Sequence, residues 1–379
     1  MSPFKIFRYK VRFLTPAFLG DSEKSGQWRV PPFKEQLRYW WRVCYASEHA
    51  FNVNVQEMRR AEGMLFGNAW LQEGATKSLV QMRLSQWQKG RLTSWKIVKN
   101  KIRHPEVKFP IQSDLYLGYG PLKTVKMNDQ WVTTLSESAS INAGEEATLS
   151  LYFIEEDANR LEEVLSLMHY YGAIGGSSRN GWGSYELLPE KGEPPIKNDL
   201  NRFFRNWKDA LQLDWPHAIG RDDRGPLVWC TGSCNNWQDV IRDLAIIKVG
   251  IRTQFVFQHG GTQNPEDRHW LAYPVTKHKV FSWENNTTGR LPNTLRFVVK
   301  RTQDNRLRGV IFHMPCSPPD EFMPDLDALR NVWQKVHQLL DELTNPVAQR
   351  RYEMIDDAQR RDQLRPELHN ITLHRGQGG

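Results

Sequence analysis

The chain has 379 residues, 39% hydrophobic and 25% charged, which is enough apolar material for a folded core and excludes global disorder. It carries a net charge of +8, and its N-terminus, MSPFKIFRYK, has no apolar stretch of the kind a secretory signal needs. No run of about 18 apolar residues occurs, which excludes a spanning helix of ordinary length.

The charge is concentrated. Residues 1–126 hold 22 Lys and Arg against 9 Asp and Glu, a balance of +13, and the remainder sums to −5. A basic N-terminal third points to a polyanionic partner on that part of the surface. The four cysteines, Cys44, Cys230, Cys234 and Cys316, make no disulfide framework and lack the second pair or histidine cluster of a zinc site, so they read as free thiols in a reducing cytoplasm. No metal or cofactor is expected.

In chain order, residues 4–14 alternate apolar with basic or polar side chains and predict a half-buried strand. Thr15–Gly20 (TPAFLG) breaks it. Pro31 and Pro32 open a predicted helix to about Ala46, since proline is tolerated in a first turn. A second helix follows from about Val55 to Phe66, then strands near 78–87 and 93–99 and an irregular stretch at 101–135. Residues 147–154 predict a strand, and 157–171 a helix with Asp157 as its cap. A glycine-rich segment, 172–183, leads into another short strand.

This order fits a β-α-β-β-α-β ferredoxin-like unit with insertions. PEKGEPPIKN at 189–198 reads as a linker. Beyond it come a predicted helix at 199–212, strands at 245–258, 270–283, 294–300 and 307–313, and an amphipathic helix from about Asp325 to Leu343. The expected fold class is α+β, two tandem ferredoxin-like (RRM-like) domains with insertions. The expected divisions are 1–190, 191–345 and a polar tail, 346–379, that extends a helix or is disordered.

Two segments carry chemistry. In the first helix Lys34, Arg38 and Arg42 fall at i, i+4 and i+8, on one stripe at about 100° per residue. Phe33, Leu37, Trp40 and Cys44 form another stripe, and Trp41 lies at the edge of the basic one. Cations beside flat rings suit a phosphate backbone with stacked bases. The alternative is a solvated basic face over a core helix. The second segment is Gly172-Ala-Ile-Gly-Gly-Ser-Ser-Arg-Asn-Gly-Trp-Gly183. Its glycines free the backbone for close approach to a ligand, and exposed N–H groups with Arg179 suit phosphate. It is neither a Walker loop nor a dinucleotide fingerprint. The alternative here is a flexible surface loop.

Together these segments resemble the RAMP superfamily of CRISPR effector proteins. The turn Thr15-Pro-Ala-Phe-Leu-Gly20, the helix Arg29…Pro32-Phe-Lys34…Leu37-Arg38…Trp41-Arg42 and the loop Gly175-Gly-Ser-Ser-Arg-Asn-Gly-Trp-Gly-Ser184 follow its order and spacing. The resemblance is to the subunit-one family of the type III-B (Cmr) complex, and it covers the N-terminal half. At Ser178-Arg179-Asn180 that family commonly has a second basic residue, so the departure here would weaken phosphate contacts.

The resemblance implies a non-catalytic, RNA-binding subunit of a cytoplasmic antiviral ribonucleoprotein. Its partners would be guide RNA (crRNA), target RNA and the other Cmr subunits, near the guide 3′ end. The implied RNA-binding residues are Arg29, Lys34, Arg38, Trp41, Arg42, Gly175, Gly176, Ser177, Ser178, Arg179, Asn180 and Gly181. Two other classes stay open. A metal-independent endoribonuclease would draw on His169, Tyr170, His259 or His269 for acid–base work, although no spacing singles them out. A structural subunit would touch protein alone. Asp222-Asp223 in RDDRG reads as a charged turn and not as a metal site.

Overall fold

The computed structural model describes residues 3–20, 25–69, 74–96, 100–127, 129–258, 260–284 and 289–376. The first predicted strand is β1, Phe4–Phe13, with Phe7, Tyr9, Val11 and Phe13 buried on alternate positions. α1 (Val30–Glu48) starts on Pro31 and Pro32, and α2 (Val55–Phe66) is capped by the Asn54 side chain, which accepts from the Gln56 and Glu57 amides. β2 is Gln81–Leu84. The stretch expected to be irregular holds a helix, α3 (Ser113–Gly118), and a hairpin of β3 (Leu122–Met127) and β4 (Gln130–Leu135). β5 (Glu146–Ile154), α4 (Ala158–Tyr171) and β6 (Tyr185–Pro189) complete the half. Asp157 makes no side-chain cap.

These strands form one antiparallel sheet in the order β2-β5-β1-β6, with α1 and α4 packed together on one face. The core between them holds Phe7, Tyr9, Leu149, Leu151, Phe33, Leu37 and Trp40.

The second half has the same β-α-β-β-α-β order: β7 (Val228–Thr231), α5 (Trp237–Thr253), β8 (Leu295–Arg301), β9 (Leu307–His313), α6 (Leu326–Glu342), then α7 (Ala358–Leu368) and β10 (Leu373–Arg375). Its sheet runs β8-β9-β7-β10, again antiparallel throughout.

Several expectations are corrected. Residues 245–253 are helix and not strand. Asn236 caps α5 by accepting from the Asp239 amide, and Leu244, Ala245, Ile246, Ile247, Val249 and Ile251 are buried around most of its circumference. Burial on nearly every side erases the amphipathic stripe that would have marked the helix. Residues 201–210 break into a 3₁₀ turn, a short strand at Phe204–Asn206 and one helical turn. Residues 270–283 hold the end of a 3₁₀ turn, a two-residue strand and a short helix. No strand forms at 93–96, and 97–99 lie outside the described residues. The tail is neither an extension of α6 nor a polar appendage: α7 packs on α5, and β10 supplies the fourth strand of the second sheet. Among the described residues no helix is long and apolar enough to cross a membrane.

Candidate nucleic-acid interface

The turn Thr15–Gly20 and the glycine-rich segment close on each other. The Gly183 amide donates to Pro16 O, the Gly176 amide to Phe18 O, and the Thr15 hydroxyl to Gly181 O at 2.8 Å. The segment is therefore packed and not a flexible loop. Gly183 has φ +62°, and a Cβ there would collide with the Ile174 carbonyl. Gly175, at φ +92°, would drive a Cβ to 2.6 Å from Phe18 O. Both positions need glycine for packing within the chain before any ligand is considered.

The far side of the loop is tied to the second half. The Phe297 amide donates to Arg179 O at 3.0 Å, and the Gly181 amide donates to Phe297 O at 2.8 Å. Asn180 is committed internally. Its amide nitrogen donates to Leu117 O and its carbonyl accepts from Lys248 Nζ at 2.7 Å. Asn180 and Gly181 thus hold the loop in place. Gly175, Ser177, Ser178 and Arg179 stay wholly or partly accessible. The backbone amides of Ser177, Ser178 and Arg179 find no acceptor among the described residues. Ser177, at φ +56°, turns the chain there.

On α1, Lys34, Arg38 and Arg42 do lie along one partly exposed face. Two of the three are already engaged. Glu62 of α2 accepts from Arg38 Nε at 2.6 Å and from Arg42 Nε and Nη2 at 2.8 and 2.7 Å. Burial raises the Glu62 carboxyl, but the hydrogen bonds from Arg42 and Arg38 outweigh it and hold the carboxyl below its ordinary value. Burial, and then Arg38, lower Lys34. Trp41 is corrected outright: it is 1% exposed, tilted against Tyr45 and edge-on to Phe66, and no base can stack on it.

Two residues not anticipated from the sequence join the loop to α1. The Arg296 guanidinium, from β8, lies 4.5 Å from the Tyr39 ring centroid, and the Tyr39 hydroxyl donates to Met314 Sδ. Arg296, Arg179 and Arg42 all act on Tyr39, whose hydroxyl is nonetheless raised by burial. Burial and the nearby Arg296 lower Arg179. Among the described residues Arg29, Lys34, Arg179 and Arg296 form no ion pair, and the Nε atoms of Arg29 and Arg296 are buried without a partner. Arg179 and Arg296 also face a pocket of about 140 Å³ shared with Trp270, Trp333, Pro292 and Asp214. At the junction of the halves the site therefore brings Arg179 and Arg296, neither in an ion pair among the described residues, beside the free backbone amides of the loop, with Asp214 in the pocket they share. Such an arrangement suits phosphate.

The acid–base candidates do not gather there. His169 Nδ1 lies 2.9 Å from Leu187 O, and burial takes its imidazole down to about 4. His269 forms a capping box with Glu266, and Tyr170 lies next to His169 at the end of α4. His259 lies outside the described residues. Among the described residues no group of three His, Cys, Asp or Glu side chains could hold a metal ion, and Asp222 is bonded to Arg375.

Residues 10–186 match the family model of the RAMP superfamily. None of the curated proteins compared matches the chain. Solved structures similar to it include Cmr1 from Pyrococcus furiosus in its apo form, at 14% identity, a TM-score of 0.42, and 86% of this chain against 92% of that one. A cryo-EM structure of the Type III-B Cmr-beta bound to cognate target RNA is similar at 12% identity, with a TM-score of 0.43 and coverage of 87% and 99%. A second Cmr-beta structure, bound to cognate target RNA and AMPPnP in the presence of ssDNA, gives 11%, 0.43, 88% and 99%.

Proposed function

We propose, from the premise that residues 10–186 form a RAMP superfamily domain, that the chain is a non-catalytic RNA-binding subunit of a type III-B (Cmr) CRISPR ribonucleoprotein. It is built on two ferredoxin-like units, a reading that the two antiparallel strand orders support. Its partners are guide RNA, target RNA and the other Cmr subunits in the cytoplasm, with contacts near the guide 3′ end, as the resemblance implies.

One observation carries the RNA-binding reading. The segment 175–181 is clamped between the Thr15–Gly20 turn and β8, yet leaves the Ser177, Ser178 and Arg179 amides and the Arg179 and Arg296 guanidinium groups without acidic partners. Fixed donors beside unneutralised cations bind phosphate irrespective of sequence. Of the residues expected from the sequence, Arg29, Lys34, Gly175, Gly176, Ser177, Ser178 and Arg179 remain in this role. Arg38 and Arg42 contribute charge that Glu62 partly cancels, and Asn180 and Gly181 position the loop.

The test is RNA binding by the whole chain across a salt series. Arg179→Ala with Arg296→Ala should weaken binding to single-stranded RNA of any sequence and lower the log–log salt slope by roughly 0.7 per lost contact. Unchanged affinity and slope in a folded double variant would remove the interface, and a subunit that touches protein alone would replace it. Sequencing-gel assays with and without divalent metal should show no cleavage. Cleavage lost on changing His169, Tyr170, His259 or His269 would instead make the chain a nuclease.

A further inference from the structure

The face of the first sheet turned away from α1 and α4 lies apart from the interface above. Because Phe7, Tyr9, Val11 and Phe13 enter the core, Ile6, Arg8, Lys10 and Arg12 face outward. Register then builds rows across three strands. Ile6 opposes Tyr152, which opposes Gln81, and Arg8 opposes Ser150, which opposes Arg83.

The Phe4 ring stacks on Tyr152 at 4.9 Å and 19°, while Phe4, Ile6 and Trp87 are 42%, 42% and 59% exposed. Ile6, Arg8, Arg83, Trp87 and Tyr152 line one shallow groove that includes no acidic residue. Arg83 has no ion pair among the described residues, and Arg8 makes a long one, to Glu193 at 3.9 Å, with its own side chain half exposed. Two acids of this face, Glu146 and Glu186, sit at its other end, bonded to Arg12 and Arg301, and a third, Glu190 beside Arg8, accepts from the Thr148 hydroxyl at 2.9 Å. Exposed rings in a groove with no acidic lining, beside an unpaired Arg83 and an Arg8 held only loosely by Glu193, match a polyanion that carries flat bases.

We propose that this open face is a second platform for single-stranded RNA, with bases stacked on Phe4, Tyr152 and Trp87 and phosphates taken by Arg8 and Arg83. The proposal rests on the RNA-binding function above. β1 spans about 30 Å from Phe13, beside the glycine-rich segment, to Phe4, so one strand of RNA reaches both places.

The experiment measures binding of the whole chain to a single-stranded RNA of about 25 nucleotides, longer than one compact binding site, by fluorescence anisotropy across a salt series. The parent is compared with Arg8→Glu plus Arg83→Glu and with Arg179→Ala plus Arg296→Ala. Melting temperatures are recorded and ultraviolet cross-links are mapped. The Arg8/Arg83 variant should keep its melting temperature, lose at least about tenfold in affinity and lower the salt slope by roughly 1.4. In the parent, cross-links should fall on Trp87 or Tyr152. Binding lost only in the Arg179/Arg296 variant overturns this platform and leaves the function above standing. Binding unchanged in both variants overturns both readings. If the Arg8/Arg83 variant binds RNA normally but no longer assembles with a protein subunit, the face docks protein and the proposal fails.

Discussion

Glu62 holds Arg42 through two hydrogen bonds, at 2.8 and 2.7 Å, and so fixes α2 against the basic face of α1. A charged stripe that reads as free for a ligand is in part a structural contact. The same carboxylate takes Arg38 at 2.6 Å, and its side chain is only 7% exposed.

Replacing Arg38 and Arg42 together by Ala should therefore destabilise the fold as well as weaken RNA binding, because an ionised Glu62 would be left nearly buried. The loss should be roughly 2–3 kcal/mol. That lies below the ~3–5 kcal/mol of a fully buried pair, since the arginine side chains are 25% and 30% exposed. Adding Glu62→Met should recover most of it in chemical denaturation. A double variant as stable as the parent would show that the Glu62 contacts contribute nothing net.

Trp41→Ala should behave as a core truncation. A cost of about 3–5 kcal/mol is expected, with RNA affinity unchanged in the fraction that stays folded, because the ring lies between Tyr45 and Phe66. A stable Trp41→Ala protein that had lost RNA affinity would put the ring back on the RNA surface.

The second half contains an acid-sensitive pair. His313 Nδ1 and His337 Nε2 are 3.0 Å apart, the other His313 nitrogen lies 3.0 Å from the Thr294 hydroxyl, and Trp333 stacks on His313. Burial, and then His337, hold His313 well below an ordinary histidine. Burial takes His337 down to about 3, with Asp222 opposing and Arg375 and Arg224 assisting. Below pH ~6.5 the unfolded chain binds protons that the folded pair refuses, so stability falls as the pH drops from about 6.5 toward about 3. The melting temperature should drop from pH 7 to pH 4.5, and His337→Gln should shrink that drop. An equal drop in the variant would clear the pair of any part in acid sensitivity.

What the sequence revealed depended on which physical signal survived folding. β1 and β5 have one face in the core, so their period-two alternation was visible. α6 shows a clear stripe and an Asp325 cap whose carboxylate accepts from two amides. Residues 245–253 of α5 read as a strand because their buried β-branched residues, Ile246, Ile247, Val249 and Ile251, carry a strand's composition, and only Asn236 and Asp239 mark the helix start. Glu62 carries no local signal in the sequence, because nothing near it tells that an acid on the next helix will partly cancel Arg38 and Arg42. Arg296 was hidden in the same way: it reads as one basic residue of a strand, and it meets Arg179 only because the two halves pack together. The glycines read as freeing the backbone for a ligand, whereas Gly175 and Gly183 are needed first for close packing on Phe18 and Ile174.

The placement of β10 bears on how the molecule is made. Residues 373–375 pair with β7, whose own residues are synthesised some 140 positions earlier. During translation β7 therefore leaves the ribosome with one edge unsatisfied and keeps it so until residue 375 has emerged, while the first sheet has all four strands once residue 189 is out. An open edge is a template for pairing with another chain. The first half can thus fold vectorially, while the second is exposed to wrong partners until synthesis has passed its last strand.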